Sequence, residues 1–98
     1  MMAKRYVVAY ITRRNRCDWP HSKTIEASNA KEAREIFDGW YWTATRPHPF
    51  HITVKPFDGL TRCPLCHSWM EEQNDPDMAY VCLNTEHCGL KIKRKAEL

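Results

Sequence analysis

Apolar residues crowd the start of the chain and then settle into two different periods. Tyr6-Val7-Val8-Ala9-Tyr10-Ile11 is rich in β-branched and aromatic residues that suit a pleated surface, and it predicts a strand over Lys4 to Arg13. The polar run from Arg13 to Ser22 contains Pro20 and reads as a loop, followed by a short second strand over Lys23 to Ala27. Asn29-Ala30-Lys31-Glu32 supplies a cap residue with Glu three positions on, the mark of a helix start through reciprocal side-chain to backbone hydrogen bonds. Ala30, Ala33, Ile36, Phe37, Trp40 and Tyr41 then recur at helical spacing, and the helix should end near Trp42. Pro47 and Pro49 force an extended or turning path over Thr43 to Pro49. Alternation returns at His51 to Lys55, with Ile52 and Val54 on one side of a third strand.

The order β-β-α-β predicts an antiparallel sheet with the first strand in the centre and a right-handed helical crossover between its edges. One face, formed by Val7, Ala9, Ile11, Ile25, Ala27, Ile52 and Val54, is expected beneath the helix. The opposite face would show Tyr6, Val8, Tyr10, Thr24, Glu26, His51, Thr53 and Lys55, too aromatic a set to stand in water. Two readings of it stay open. Either the C-terminal part or a second copy packs there, or Tyr6 and Tyr10 form a platform for unpaired bases.

After a joint at Pro56 to Leu60 the chain changes character. Cys63-Pro64-Leu65-Cys66 and Cys82…Cys88 are two close pairs of thiols separated by 15 residues rich in turn formers. Each pair can turn both sulfurs onto one soft four-coordinate ion, while the spacer loops out as a hairpin. The expected elements are a strand after the first knuckle, an acidic turn at Glu71 to Asp77, a strand at Met78 to Cys82, and a last strand at Leu90 to Arg94. The fold class is therefore α+β: a β-β-α-β domain over 1–57, then a four-cysteine zinc ribbon over 58–98. Cys63, Cys66, Cys82 and Cys88 would hold one structural Zn²⁺.

His67 and His87 each neighbour a proposed ligand, and either could replace it. A redox dithiol at Cys63 and Cys66 is the rival reading, but such a motif opens a helix that lowers the thiol pKa. The acidic stretch to Asp77 and the second cysteine pair speak against that helix. Cys17 with His21, His48 and His51 has spacings compatible with a second metal site, set against the commoner case of a loop cysteine and scattered surface histidines. Four thiolates leave a zinc ion no open position, and the chain has no phosphate-cradling glycine loop or nucleophile motif. No enzyme activity is expected.

Cys63, Pro64, Cys66, Tyr80, Cys82, Asn84 and Cys88 together form a pattern that resembles the zinc ribbons repeated at the C-terminus of bacterial type IA DNA topoisomerases. The resemblance covers residues 62–95. His67 stands where that family usually has a knuckle glycine, and Glu71, Glu72, Asp75 and Asp77 make the turn acidic. What the resemblance implies is a ribbon fold that grips single-stranded DNA, partly by aromatic stacking.

Composition narrows the choice of partner. Hydrophobic residues at 43% and aromatics at 11% of 98 residues indicate a folded chain. Ten Lys/Arg face five Asp/Glu in residues 1–57, whereas five face seven in 58–98. Four thiolates around a divalent ion lower the formal +3 further, so net charge alone is weak support for nucleic-acid binding. Local clusters carry the argument instead: Arg13, Arg14 and Arg16 in one, and Lys91, Lys93, Arg94 and Lys95 in the other. Lys91 and Lys93 share a strand face opposite Leu90 and Ile92. With Trp19, Trp40 and Trp42 at hand, phosphate contact plus base stacking becomes a coherent reading. The run Trp40-Tyr41-Trp42 cannot all be core, so Trp42 is expected to be exposed or covered by Pro47 to Phe50.

The leading expectation is a small zinc-ribbon protein binding single-stranded DNA or RNA. The alternative is a protein-binding adaptor or inhibitor of a nucleic-acid-handling enzyme, using Glu71, Glu72, Asp75 and Asp77 or the open sheet face. Tyr6 to Ile11 is too short for a secretion signal or a membrane span, so the protein is expected in the cytoplasm, with no membrane and no small-molecule substrate.

Overall fold

The run Tyr6 to Ile11 becomes the middle of a sheet, and its unbroken apolar character is what a strand covered on both faces requires. In the computed structural model, which describes residues 4–42 and 48–96, the elements are β1 (Lys4–Arg14), β2 (Cys17–Ala27), α1 (Ala30–Trp42), β3 (Phe50–Pro56), β4 (Met70–Glu72), β5 (Met78–Cys82) and β6 (Lys91–Lys93). They form two antiparallel three-stranded sheets ordered β2-β1-β3 and β4-β5-β6. The central position of β1, the helix bounds and the strand Met78–Cys82 agree with the sequence reading. Among the described residues no helix is long and apolar enough to cross a membrane.

The expected loop over Arg13 to Ser22 is instead the end of a long hairpin. β1 runs to Arg14 and β2 resumes at Cys17, so only Asn15 and Arg16 turn, both with positive φ (53° and 65°). That is the two-residue turn whose twist matches a hairpin. Pro20 does not break the strand, because β2 lies at the sheet edge. Counting from the turn, Pro20 opposes Ile11 in a non-hydrogen-bonded pair, where its missing N–H would face outward.

The helix start follows the expected chemistry with one shift. The Glu32 N–H donates to Asn29 Oδ1 at 2.8 Å, while the Glu32 carboxylate accepts from the Ser28 N–H and hydroxyl rather than from Asn29. Ala33, Phe37 and Tyr41, spaced four apart, are the buried stripe.

The sheet faces differ from expectation at β1. Tyr6 pairs directly with Ile25 and Val8 with Val54, so the even-numbered residues of β1 share a face with Ile25, Ala27, Ile52 and Val54. The helix therefore covers Val8 and Tyr10, with Tyr6 at the margin. Val7, Ala9 and Ile11 point the other way, into a core with Phe57, Leu65, Met70, Tyr80, Leu90 and Ile92. A one-residue shift of phase exchanges every side chain between faces, and a strand apolar on both sides carries no alternation that fixes it.

That second core joins the two parts of the chain across residue 57. The Thr24 hydroxyl donates to the Lys93 carbonyl at 2.7 Å and the Ser22 hydroxyl to the Lys91 carbonyl at 2.6 Å. Arg5 donates to the Arg94 carbonyl at 2.9 Å and lies over the Phe57 ring. The free edge of β6 is thus occupied by side chains of β2, which blocks it from pairing with another strand. The ribbon sits on the sheet face that the sequence left uncovered.

Candidate metal centre and basic surface

Two backbone turns create the sulfur cluster. In the first, the His67 N–H donates to the Cys63 carbonyl at 3.0 Å and the Cys63 N–H to the Ser68 carbonyl at 2.7 Å. His67 adopts φ 64° there, the left-handed conformation for which glycine is the easy residue. In the second, the N–H groups of Cys88 and Gly89 both donate to the Asn84 carbonyl, and Gly89 supplies φ 65°. The resulting sulfurs of Cys63, Cys66, Cys82 and Cys88 all lie within 4.8 Å of one another.

The donor set fits a tetrahedral soft ion. Cys63 and Cys88 sulfurs are 3.6 Å apart and those of Cys66 and Cys82 are 3.4 Å apart. Four sulfurs at about 2.3 Å from a zinc ion would be separated by about 3.8 Å, whereas a disulfide needs about 2.0 Å. All are free thiols, with Cys63 and Cys82 fully buried. Burial pushes the Cys63 thiol up, against amide hydrogen bonds from Cys66 and Leu65. Burial likewise raises Cys88 strongly. Burial also opposes ionisation of Cys66, but the Ser68 hydroxyl and amide together with the neighbouring thiols outweigh it and bring that group down to about 6. Backbone N–H groups aimed at sulfur are the contacts that make a cluster of thiolates tolerable in a small core.

His67 and His87 are exposed and stand outside this group. Cys17, His21, His48 and His51 form no ligand group among the described residues. His21 is engaged otherwise, its Nε2 2.8 Å from the Thr12 hydroxyl and its ring stacked on Tyr10.

The other expected site residues divide sharply. Arg14 and Arg16 are exposed at the hairpin tip, while Arg13 pairs across the strands with Asp18 at 2.9 Å. Lys91, Lys93 and Lys95 are exposed. Arg94 has an internal role: its guanidinium donates to the carbonyls of Gln73, Asp75 and Met78 and clasps the acidic turn shut. Asp75 works inside the same turn, its carboxylate accepting from the N–H groups of Asp77 and Met78, which hold its pKa low. Glu71, Glu72 and Asp77 remain outward.

The tyrosine platform is absent. Tyr10 is only 6% exposed, wedged against Phe37 and Tyr41, and Tyr6 packs at the edge of the same core. Trp42 is 66% exposed, with its ring edge-on to His48. The expected cover from Pro47 lies outside the described residues.

Sequence reasoning missed two features. Docking of the ribbon brings Lys91 and Lys93 to the edge of β2, where they line a groove of about 420 Å³ with His21, Lys23 and Trp40. The Lys23 ammonium lies 4.4 Å from the centre of the Trp40 ring. No local signal marks this groove, since its lysines come from opposite ends of the chain. The second is Trp69, 57% exposed with the Arg62 guanidinium 3.6 Å from its ring centre, and next to the exposed Leu83. A ribbon too small to bury a tryptophan was the signal for that pair. No family model, curated protein or solved structure matches the chain.

Proposed function

We propose that this protein is a nucleic-acid-binding zinc ribbon of the cytoplasm whose one metal ion is structural and not catalytic. Zinc is favoured by four cysteine sulfurs close enough together to share one four-coordinate ion, and by a reducing compartment that keeps them available. The observation that carries the reading is the set of cations left once internal roles are subtracted. Arg14, Arg16, Lys91, Lys93 and Lys95 are exposed and none has an ion-pair partner among the described residues, whereas Arg94 and Arg13 are engaged. The likeness of residues 62–95 to topoisomerase ribbons is consistent with this. The experiment is a titration of labelled single-stranded DNA, RNA and duplex DNA with metal-loaded protein at low salt. Binding should weaken steeply with salt, and Lys91→Gln with Lys93→Gln should reduce the slope on a single strand by about 1.4, at about 0.7 for each phosphate no longer neutralised. Failure of all three nucleic acids to bind would end the proposal.

A second reading, an adaptor that captures a protein, draws on one observation. Trp69 and Leu83 are exposed apolar residues on backbones joined by a hydrogen bond, with the exposed Glu71 two residues along from Trp69. The open sheet face no longer supports it, because the ribbon occupies that face. Retention of a protein from nuclease-treated lysate, abolished by Trp69→Ala, would favour this reading over the first.

A further inference from the structure

We propose that the groove between β2, α1 and β6 is the seat of a single-stranded nucleic-acid segment, with backbone phosphates on Lys91 and Lys93 and a base against the Trp40 side of the groove. The proposal rests on the nucleic-acid reading above and specifies its site and its ligand's strandedness.

Three observations carry it. The first is charge: Lys23, Lys91 and Lys93 line the groove, and no Asp or Glu does. An anion is the ligand such a lining attracts, and low-dielectric walls focus the field within it. The second is spacing. Lys91 and Lys93 lie two residues apart on one strand, with Ile92 turned into the core between them, so their stems stand about 6.8 Å apart. That matches the distance between successive phosphates of an extended single strand. Both positions are also fixed, because their carbonyls are held by Ser22 and Thr24.

The third is shape. The groove is a recess of about 420 Å³ lined by Trp40 and His21 together with the lysines, with the Lys23 ammonium 4.4 Å from the Trp40 ring centre. An unpaired base can turn into such a recess and lie against an aromatic face, as bases do on stacking platforms. A duplex keeps its bases stacked inside and presents phosphates on a convex surface, so it could touch Lys91 and Lys93 but could not fill the recess. The contacts involve phosphate and a base face and do not read the sugar, so DNA and RNA strands should bind alike.

The test uses the full chain loaded with zinc and labelled strands of about ten nucleotides, a length within the range such sites cover. Oligothymidylate and oligouridylate should bind within a few-fold of each other and about tenfold more tightly than a duplex of equal length. An abasic strand, which keeps every phosphate, should lose about tenfold. Lys91→Gln with Lys93→Gln should also lose about tenfold, while Lys31→Gln with Lys55→Gln, two exposed lysines outside the groove, should lose less than threefold. Unchanged zinc content in each variant establishes that the ribbon is intact. Strands that bind with equal affinity to wild type and to the lysine variant would overturn the groove and leave nucleic-acid binding standing. Equal affinity for abasic strand, duplex and normal strand would overturn the base-in-recess arrangement. Absence of binding by any nucleic acid would overturn the underlying reading along with it.

Discussion

His67 and Gly89 occupy equivalent strained positions, one in each knuckle, yet only one is a glycine. An L-residue with a Cβ is disfavoured at φ 64°, so His67→Gly should raise the stability of the metal-loaded protein by about 1 kcal/mol. Gly89→Ala should lower it by about the same amount, and chemical denaturation of both variants measures the pair. The clustering of Cys63, Cys66, Cys82 and Cys88 was legible because the chelate spacing of cysteines is local to each knuckle. The roles of Arg94 and Asp75 were not, since each depends on carbonyl and amide groups that meet only when the turn has closed.

The thiols also give a pH dependence. Burial holds Cys63 and Cys88 above their ordinary value, so at neutral pH the metal must displace their protons. Lowering the pH favours those protons and raising it favours the metal, so apparent affinity should climb with pH. Chelator competition at about pH 6 and about pH 8 measures it, and equal affinities would contradict the assignment of these thiols as ligands.

Among the elements, the helix was readable from its cap and its four-residue stripe, while the hairpin was not. Asn15-Arg16 is an unusual pair for this turn, because both residues need positive φ and Arg carries a Cβ. Arg16→Gly should therefore stabilise the fold by up to about 1 kcal/mol, read as a rise in denaturation midpoint. The phase of β1 was illegible for a different reason: Val7-Val8-Ala9-Tyr10 is buried on both faces, and only the register with β2 and β3 tells them apart. The docking of β6 on β2 makes its own prediction. Thr24→Val keeps the shape of a fully buried side chain but leaves the Lys93 carbonyl without its donor, at a cost of about 1–3 kcal/mol. A cost near zero would mean that the hydroxyl does not hold β6 in place.

At the scale of the molecule, the metal knuckles, the shared core and the basic edge form one causal chain. The ribbon contributes only short strands, Met70–Glu72, Met78–Cys82 and Lys91–Lys93, and these bury Val7 and Ala9 of the other sheet against Leu90 and Ile92. A metal held by the four cysteines would supply much of so small a unit's stability, since in comparable domains it contributes about 10–16 kcal/mol apparent. Composition and spacing reveal that a ribbon exists, but the alignment of Lys91 and Lys93 with Lys23 arises only from docking. If the metal orders the ribbon, it also orders the groove.

The most direct measurement is therefore single-strand binding by the same protein before chelation, after verified removal of the metal, and after zinc is restored. The account predicts at least about a tenfold loss of affinity on removal and full recovery on restoration, because Lys91 and Lys93 would lose their fixed spacing. Affinity unchanged in protein shown to be metal-free would contradict it.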